Sequence, residues 1–448
     1  MMKPVASYFL LRHRDFGLFW VGMLLAGVGS QIQSVTIGWQ IYTLARATLT
    51  IKESAFLVGM IGLVQFLPLF ALSLFAGSVA DRYSRRWILL ITLTVELVCL
   101  IALAFTARSA AYGMTPIFVV AGIFGASRAF LAPANWAVTP MLVPKAEMPQ
   151  AISLKFLSGE LGVITGPLLG GMLCAVSIPL SFSVAAALYA VGILIMLLIR
   201  TNTTPERQPG SPLQQIREGL IYVWQKKIIF GAISLDLFAV LLGGATALLP
   251  AFASDILHVG PTGFGILRMG PAIGALSMAL VMARWPLKRH AGPRMFWAVA
   301  VFGTATIVFG LSRSMWVSMV ALATLGAADM ISMYVRQTLV QIVTPDPMRG
   351  RVSSVSGLFI SGSNELGQFE SGVVSRFLGP VGAAVFGGIG TLIVTGAWAK
   401  MFPDLRRADR LDAGDDVQGG VQVRVPDGVP DGVPDGIPDG VQYGVRSS

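Results

Sequence analysis

Charge is scarce in this chain, and cysteine and histidine are scarcer. Asp, Glu, Lys and Arg make up 12% of 448 residues against 54% hydrophobic, and mean hydropathy is +0.71. A water-soluble domain carries roughly 25% charged residues, so most of this chain is excluded from solution. The two cysteines, Cys99 and Cys174, both fall inside apolar runs, which leaves no disulfide framework or thiolate metal site. The three histidines, His13, His258 and His290, are scattered in terminal or loop positions. No nucleophile and base cluster at one interface, so an enzyme is not expected. The phosphate-binding pattern G-x-x-x-x-G-K-[ST] is also absent, which excludes ATP hydrolysis by that loop. No cofactor and no metal are expected. The opening MMKPVASYFLLRHRDF is followed by a long apolar stretch without a small-residue cleavage site, so that stretch reads as a retained anchor.

What the chain does have is apolar runs long enough to cross a bilayer, which takes about 20 residues each. Twelve are readable: 17–44, 55–80, 87–107, 114–136, 150–176, 179–199, 228–251, 262–284, 295–312, 315–337, 352–377 and 380–402. A polar segment, 201–227, separates the first six from the second six. The expected fold is an all-α membrane protein of twelve transmembrane helices in two pseudo-symmetric six-helix bundles, 15–200 and 228–402. Residues 1–14 form a short leading segment.

The net charge of +10 is explained by placement. One set of loops holds Lys3, Arg12, Arg14, Arg82, Arg85, Arg86, Lys145, Arg200, Arg207, Arg217, Lys226, Lys227, Arg284, Lys288, Arg289, Arg294, Arg349 and Arg351. The alternate loops hold only Arg46, Lys52, Arg108, Arg313 and Arg376. The positive-inside rule puts the rich side, both termini and the linker in the cytoplasm. This bias needs no nucleic-acid partner. Residues 403–448 carry the repeat VPDGVPDGVPDGIPDG, whose recurring Pro and Gly disfavour helix and sheet; a disordered cytoplasmic tail is expected.

Two motifs stand at helix boundaries or in spans. Gly77-Ser78-Val79-Ala80-Asp81-Arg82-Tyr83-Ser84-Arg85-Arg86 joins spans two and three. It resembles the signature loop of the major facilitator superfamily, G-x-x-x-D-R-x-G-R-R, with Ser84 where that family usually has Gly. The resemblance implies a gating role for Gly77, Asp81, Arg82, Arg85 and Arg86, with Asp81 latching the two halves on the cytoplasmic side. Span five carries Gly162, Gly166, Pro167, Gly170 and Gly171. These resemble the G-x-x-x-G-P-x-x-G-G pattern of exporting, proton-antiporting members. Gly162, Gly166 and Gly170 form a smooth stripe that admits a close neighbour.

Stretches in spans one, four, seven, ten and eleven extend the likeness over about 16–407. GSQIQSVTIGWQIY and GSNELGQFESG are among them. The subgroup is similar to bacterial enterobactin-type siderophore exporters and their multidrug-like relatives. It implies a monomeric carrier of the inner membrane, moving a small solute outward by alternating access against protons. A symporter of the same fold and a transport-inactive scaffold or sensor are the alternatives.

Ionisable residues at membrane depth are costly and face a cavity or a partner. They are Glu96, Arg128, Glu160, Asp236, Arg268, Asp329, Glu365 and Glu370. Glu160 and Glu365 lie near the middle of spans five and eleven, while Arg128 and Asp236 fall toward the cytoplasmic halves of theirs. Glu160, Asp236 and Glu365 are the expected proton or substrate carboxylates, with Arg128 as a movable cation; a fixed buried ion pair is the rival for each. Glu96 is expected to be structural. In span one, Gln33 and Gln40 share a face with a polar cluster that suits a wet cavity, and Trp39 is expected to offer a stacking surface there.

Overall fold

The computed structural model describes residues 5–205, 212–287 and 289–409. Most of the repeat-bearing tail and Lys288 lie outside the described residues. The spans are α1 (Arg14–Arg46), α2 (Ile51–Ala80), α3 (Arg85–Thr106), α4 (Thr115–Leu142), α5 (Met148–Val176) and α6 (Ile178–Leu197). After a short helix at Pro212–Gln225 come α7 (Lys227–Leu242), α8 (Gly260–Arg284), α9 (Ala291–Leu311) and α10 (Met315–Val343). The last helix, Asp346–Met401, is two spans joined by a sharp turn. Gly379 has φ +79°, a left-handed value that glycine alone adopts cheaply, and Pro380 restarts the helix. This divides it into α11 (346–378) and α12 (380–401).

The expected twelve spans and two bundles are present, and the protein crosses the membrane many times. Some boundaries differ. α4 and α10 run six residues beyond the ends expected at 136 and 337, to Leu142 and Val343. Neither extension needs to be apolar, because both lie past the hydrophobic stretch. The linker holds a helix where only a polar connection was expected. Its Gly219 lies against the Arg351 carbonyl of α11, and Tyr222 donates to the Val343 carbonyl at 3.2 Å.

α7 is broken, although its apolar run reads as continuous. Helix stops at Leu242, Gly243 and Gly244 are irregular, and the chain resumes as a 3-10 turn (Ala245–Leu248) leading to a π turn (Phe252–Ile256). Gly244 abuts the Gly367 carbonyl of α11, an approach that a side chain would block. Irregular backbone at this depth is tolerated where it is covered by protein or lines a cavity.

One end of the molecule carries the signature loop, the linker and most of the Lys and Arg; we call it the basic end. There the loops are tied within each half. Asp15 accepts from the backbone of Arg200 and Thr201 at the end of α6, and Arg85 and Arg86 donate to the carbonyls of Ala137 and Leu197. The halves meet at the other end. A Cβ built on Gly59 of α2 would lie 2.6 Å from the Cα of Gly372 in α11. One on Gly171 of α5 would lie 2.9 Å from the Cα of Gly265 in α8. Glycine is the residue that lets two membrane helices pack backbone to backbone. Toward the basic end the same helices lose this fit: the Cβ positions of Gly77 and Gly357 have nothing within 4 Å.

Candidate transport cavity

Between the halves lies a cavity of about 540 Å³. Its wall comes from both bundles, including α1, α2 and α4 on one side and the broken α7, α8 and α11 on the other. Among the described residues, two carboxylates and two guanidiniums reach it: Glu96, Glu365, Arg128 and Arg268. Arg128 donates from Nη1 to Glu365 Oε1 at 2.5 Å, joining α4 to α11 across the space. Gln65 and Gln368 flank this pair, each at 3.4 Å from one partner. Glu365 is buried, while 45% of the Arg128 side chain stays accessible. Arg268 of α8 donates from Nη2 to the Ser34 hydroxyl of α1 at 2.9 Å. The Tyr189 hydroxyl of α6 donates to Glu96 at 2.5 Å. Carboxylates and guanidiniums that face water inside a membrane protein are the groups able to change partners as access changes sides.

The expected site residues separate in space. Gln33, Arg128 and Glu365 line the cavity together. Arg128 sits midway along α4 and not toward one end, because α4 extends to Leu142. Gln40 is buried but off the cavity, with its amide oxygen unpaired among the described residues. Glu160 is half-buried, outside the cavity wall and without a hydrogen-bond or ion-pair partner among the described residues. Asp236 is ion-paired to Arg336 of α10 inside the second bundle, both side chains nearly sealed. That is the fixed pair considered as its rival. Asp329 lines the same small recess as Asp236.

Two expectations are corrected. Glu96, expected to be structural only, also reaches the cavity: α3 turns it inward, where Tyr189 holds it on the wall. Trp39 offers no open surface; it is buried against Phe264 of α8, ring centroids 6.0 Å apart, as packing between the halves. Thr36 likewise serves packing, 2.7 Å from the Ser181 hydroxyl of α6.

The two motifs are separated in space. Gly162, Gly166 and Gly170 pack on α1 against Gly27, Gln31 and Ile32, while Pro167 and Gly171 face α8 at Gly265. Span five thus carries one small-residue face toward its own bundle and one toward the opposite half. Asp81 and Arg82 are exposed at the basic end, and Arg85 and Arg86 are committed to helix carbonyls.

A further group went unread in the sequence. Three of the few cations on the charge-poor side clasp the closed end. Arg46 pairs with Asp255 at 3.1 Å, and Tyr42 donates to the same carboxylate at 2.6 Å. Lys52 donates to the Phe377 carbonyl at 2.9 Å, and Arg376 lies 5.0 Å from the centre of the Phe56 ring. Their rarity on that side was the available signal.

A family profile described as "Transmembrane secretion effector", within the major facilitator superfamily, matches residues 5–418. The chain belongs to this family. Members of the superfamily are membrane transporters, not enzymes, and this one has their fold. The enterobactin exporter EntS of Citrobacter koseri is 25% identical over 391 residues, covering 86% of this chain and 89% of that protein. The enterobactin exporter EntS of Shigella boydii is 25% identical over 395 residues, with the same coverage. Among solved structures, a D-xylose–proton symporter superposes with TM-score 0.70 at 12% identity, covering 87% of this chain and 98% of that one. A peptide transporter, POT, gives TM-score 0.70 at 13% identity, covering 88% and 95%. At such identities these two structures establish the fold of this family member and nothing about its solute.

Proposed function

We propose that this transporter is a proton-coupled exporter of the bacterial inner membrane. It takes a small siderophore- or drug-like solute from a cavity open to the cytoplasm and releases it outside by alternating access. The basic end, the linker and both termini lie in the cytoplasm, by the distribution of Lys and Arg, and the chain works as a monomer. The observation that carries the reading is the Arg128–Glu365 pair: it spans the two halves at the cavity, half open to water. Any rocking of the halves must break or rebuild it, which ties this carboxylate to the change of access. Outward direction is supported by the α5 pattern and by the likeness to enterobactin exporters. Asp81, exposed here, is the latch between the two halves when the cytoplasmic side closes.

The test has two arms. Metabolite profiles of medium and cells are compared between deletion and complemented strains, with and without iron limitation; a compound retained in the deletion strain identifies the solute. That compound is then offered to everted vesicles with an imposed proton gradient. Gradient-driven accumulation, abolished by Glu365→Gln, is the expected result. Accumulation in right-side-out vesicles instead would make the protein an uptake symporter and sink the proposal.

A further inference from the structure

The cavity has two arginines, and only one has its charge neutralised by contact. Arg128 is held by Glu365 and Gln65. Arg268 bonds to Ser34, and among the described residues its guanidinium makes no ion pair. A guanidinium has five N–H donors, and keeping it charged within the membrane costs several kcal/mol by most estimates. One neutral hydroxyl returns little of that. The side chain nevertheless sits on the wall of the cavity, across from α1. The natural complement of a guanidinium with N–H groups left over is a flat oxyanion, which arginine engages through two parallel N–H groups.

Resting on the transport reading of this cavity, we infer that Arg268 anchors an oxyanion on the solute, so that the transported class is organic anions, carboxylates foremost. Arg128 cannot serve as that anchor while Glu365 occupies it. Ser34 acts as a placeholder: its hydroxyl holds the guanidinium across the gap and is displaced when the anion arrives. The alternative role for Arg268, a distant electrostatic counterweight to Glu365, requires no ligand and gives no preference between charged and neutral solutes.

The probes are benzoate and benzamide, which share a ring and differ in charge. Thermal unfolding of the full-length protein in detergent is followed while each is titrated, with the shift in melting temperature as readout. Benzoate is expected to half-saturate at a concentration roughly tenfold lower than benzamide, the worth of one charge-assisted hydrogen bond. Arg268→Gln is expected to remove that difference and Arg268→Lys to keep part of it. Equal response to the two probes in the wild-type protein, no response to either, or an unchanged preference in Arg268→Gln would each overturn the inference. The first two of these need no variant and so do not depend on how Arg268→Gln folds. Binding in detergent requires neither gradient nor direction, so it can hold where the export assay fails, and the reverse.

Discussion

Two of the arginine–carboxylate pairs among the described residues are alike in chemistry and opposite in setting. Arg336 and Asp236 join α10 to α7 inside one bundle, with 4% and 8% of their side chains accessible. Arg128 and Glu365 join α4 of one bundle to α11 of the other, and the arginine keeps 45% of its side chain open to the cavity. A sealed pair cannot lose one partner without stranding a charge in a medium that does not solvate it. A pair on a wet cavity can, because water replaces the partner. The first is thus a fixture of its bundle, and the second is free to act as a switch between the halves.

The sharpest way to break this comparison is to neutralise each carboxylate. Asp236→Asn leaves Arg336 buried without its counter-charge, which costs about 3–5 kcal/mol. We expect loss of the monodisperse peak in size-exclusion chromatography and a melting temperature lowered by many degrees. The double variant Asp236→Leu/Arg336→Leu should recover most of it. Glu365→Gln leaves Arg128 solvated, so stability should change by less than about 1 kcal/mol while gradient-driven transport is abolished. If Glu365→Gln unfolds the protein and Asp236→Asn merely slows transport, the roles of the two pairs are reversed.

The membrane spans and the six-plus-six division could be read directly, since a long apolar run with few charges has few other destinations. Arg128 and Glu365 were readable as unusual residues, but so were Asp236 and Glu160, and depth along a span does not separate them. What separates them is the face of the helix and a partner far off in the chain: Arg336 is a hundred residues from Asp236, while Glu365 is 237 from Arg128. Glu96 was readable as a structural residue, but its place on the cavity wall was not. One inward-facing side chain, met by Tyr189 of α6, suffices to bring it to the cavity. The break in α7 was hidden because Gly243 and Gly244 sit within apolar neighbours, and the approaches of Phe302 to the first and Gly367 to the second are what call for glycine there.

The ionic link at the cavity contrasts with the apolar seal at the closed end. Gly171→Leu places a branched side chain where the Pro261 carbonyl and the Cα of Gly265 leave no room, at 2.6 Å and 2.9 Å from the Cβ alone. Backbone cannot yield as a side chain does, so the halves must part at this end, at a cost of about 1–3 kcal/mol to the closed form. A cysteine placed at Gln33, with Cys99 and Cys174 replaced, should become reactive to impermeant maleimide from the far side of the membrane by roughly tenfold. Unchanged labelling would mean that α5 and α8 do not form the seal.

The smallest effect belongs to the clasp at the same end. Arg46 and Asp255 link the halves as Arg128 and Glu365 do, but near the surface, with 33% and 18% of their side chains accessible. A partly wet pair of this kind is worth about 1 kcal/mol or less, so Asp255→Asn should raise the same maleimide reactivity by no more than roughly fivefold. Tyr42 also donates to Asp255 and can still donate to an asparagine carbonyl, which limits the loss further. Restoring the wild-type labelling by adding Arg46→Gln would identify the stranded arginine as the cause. A response as large as that of Gly171→Leu would instead place the hold of the closed end in its charges, and make glycine packing the lesser contribution.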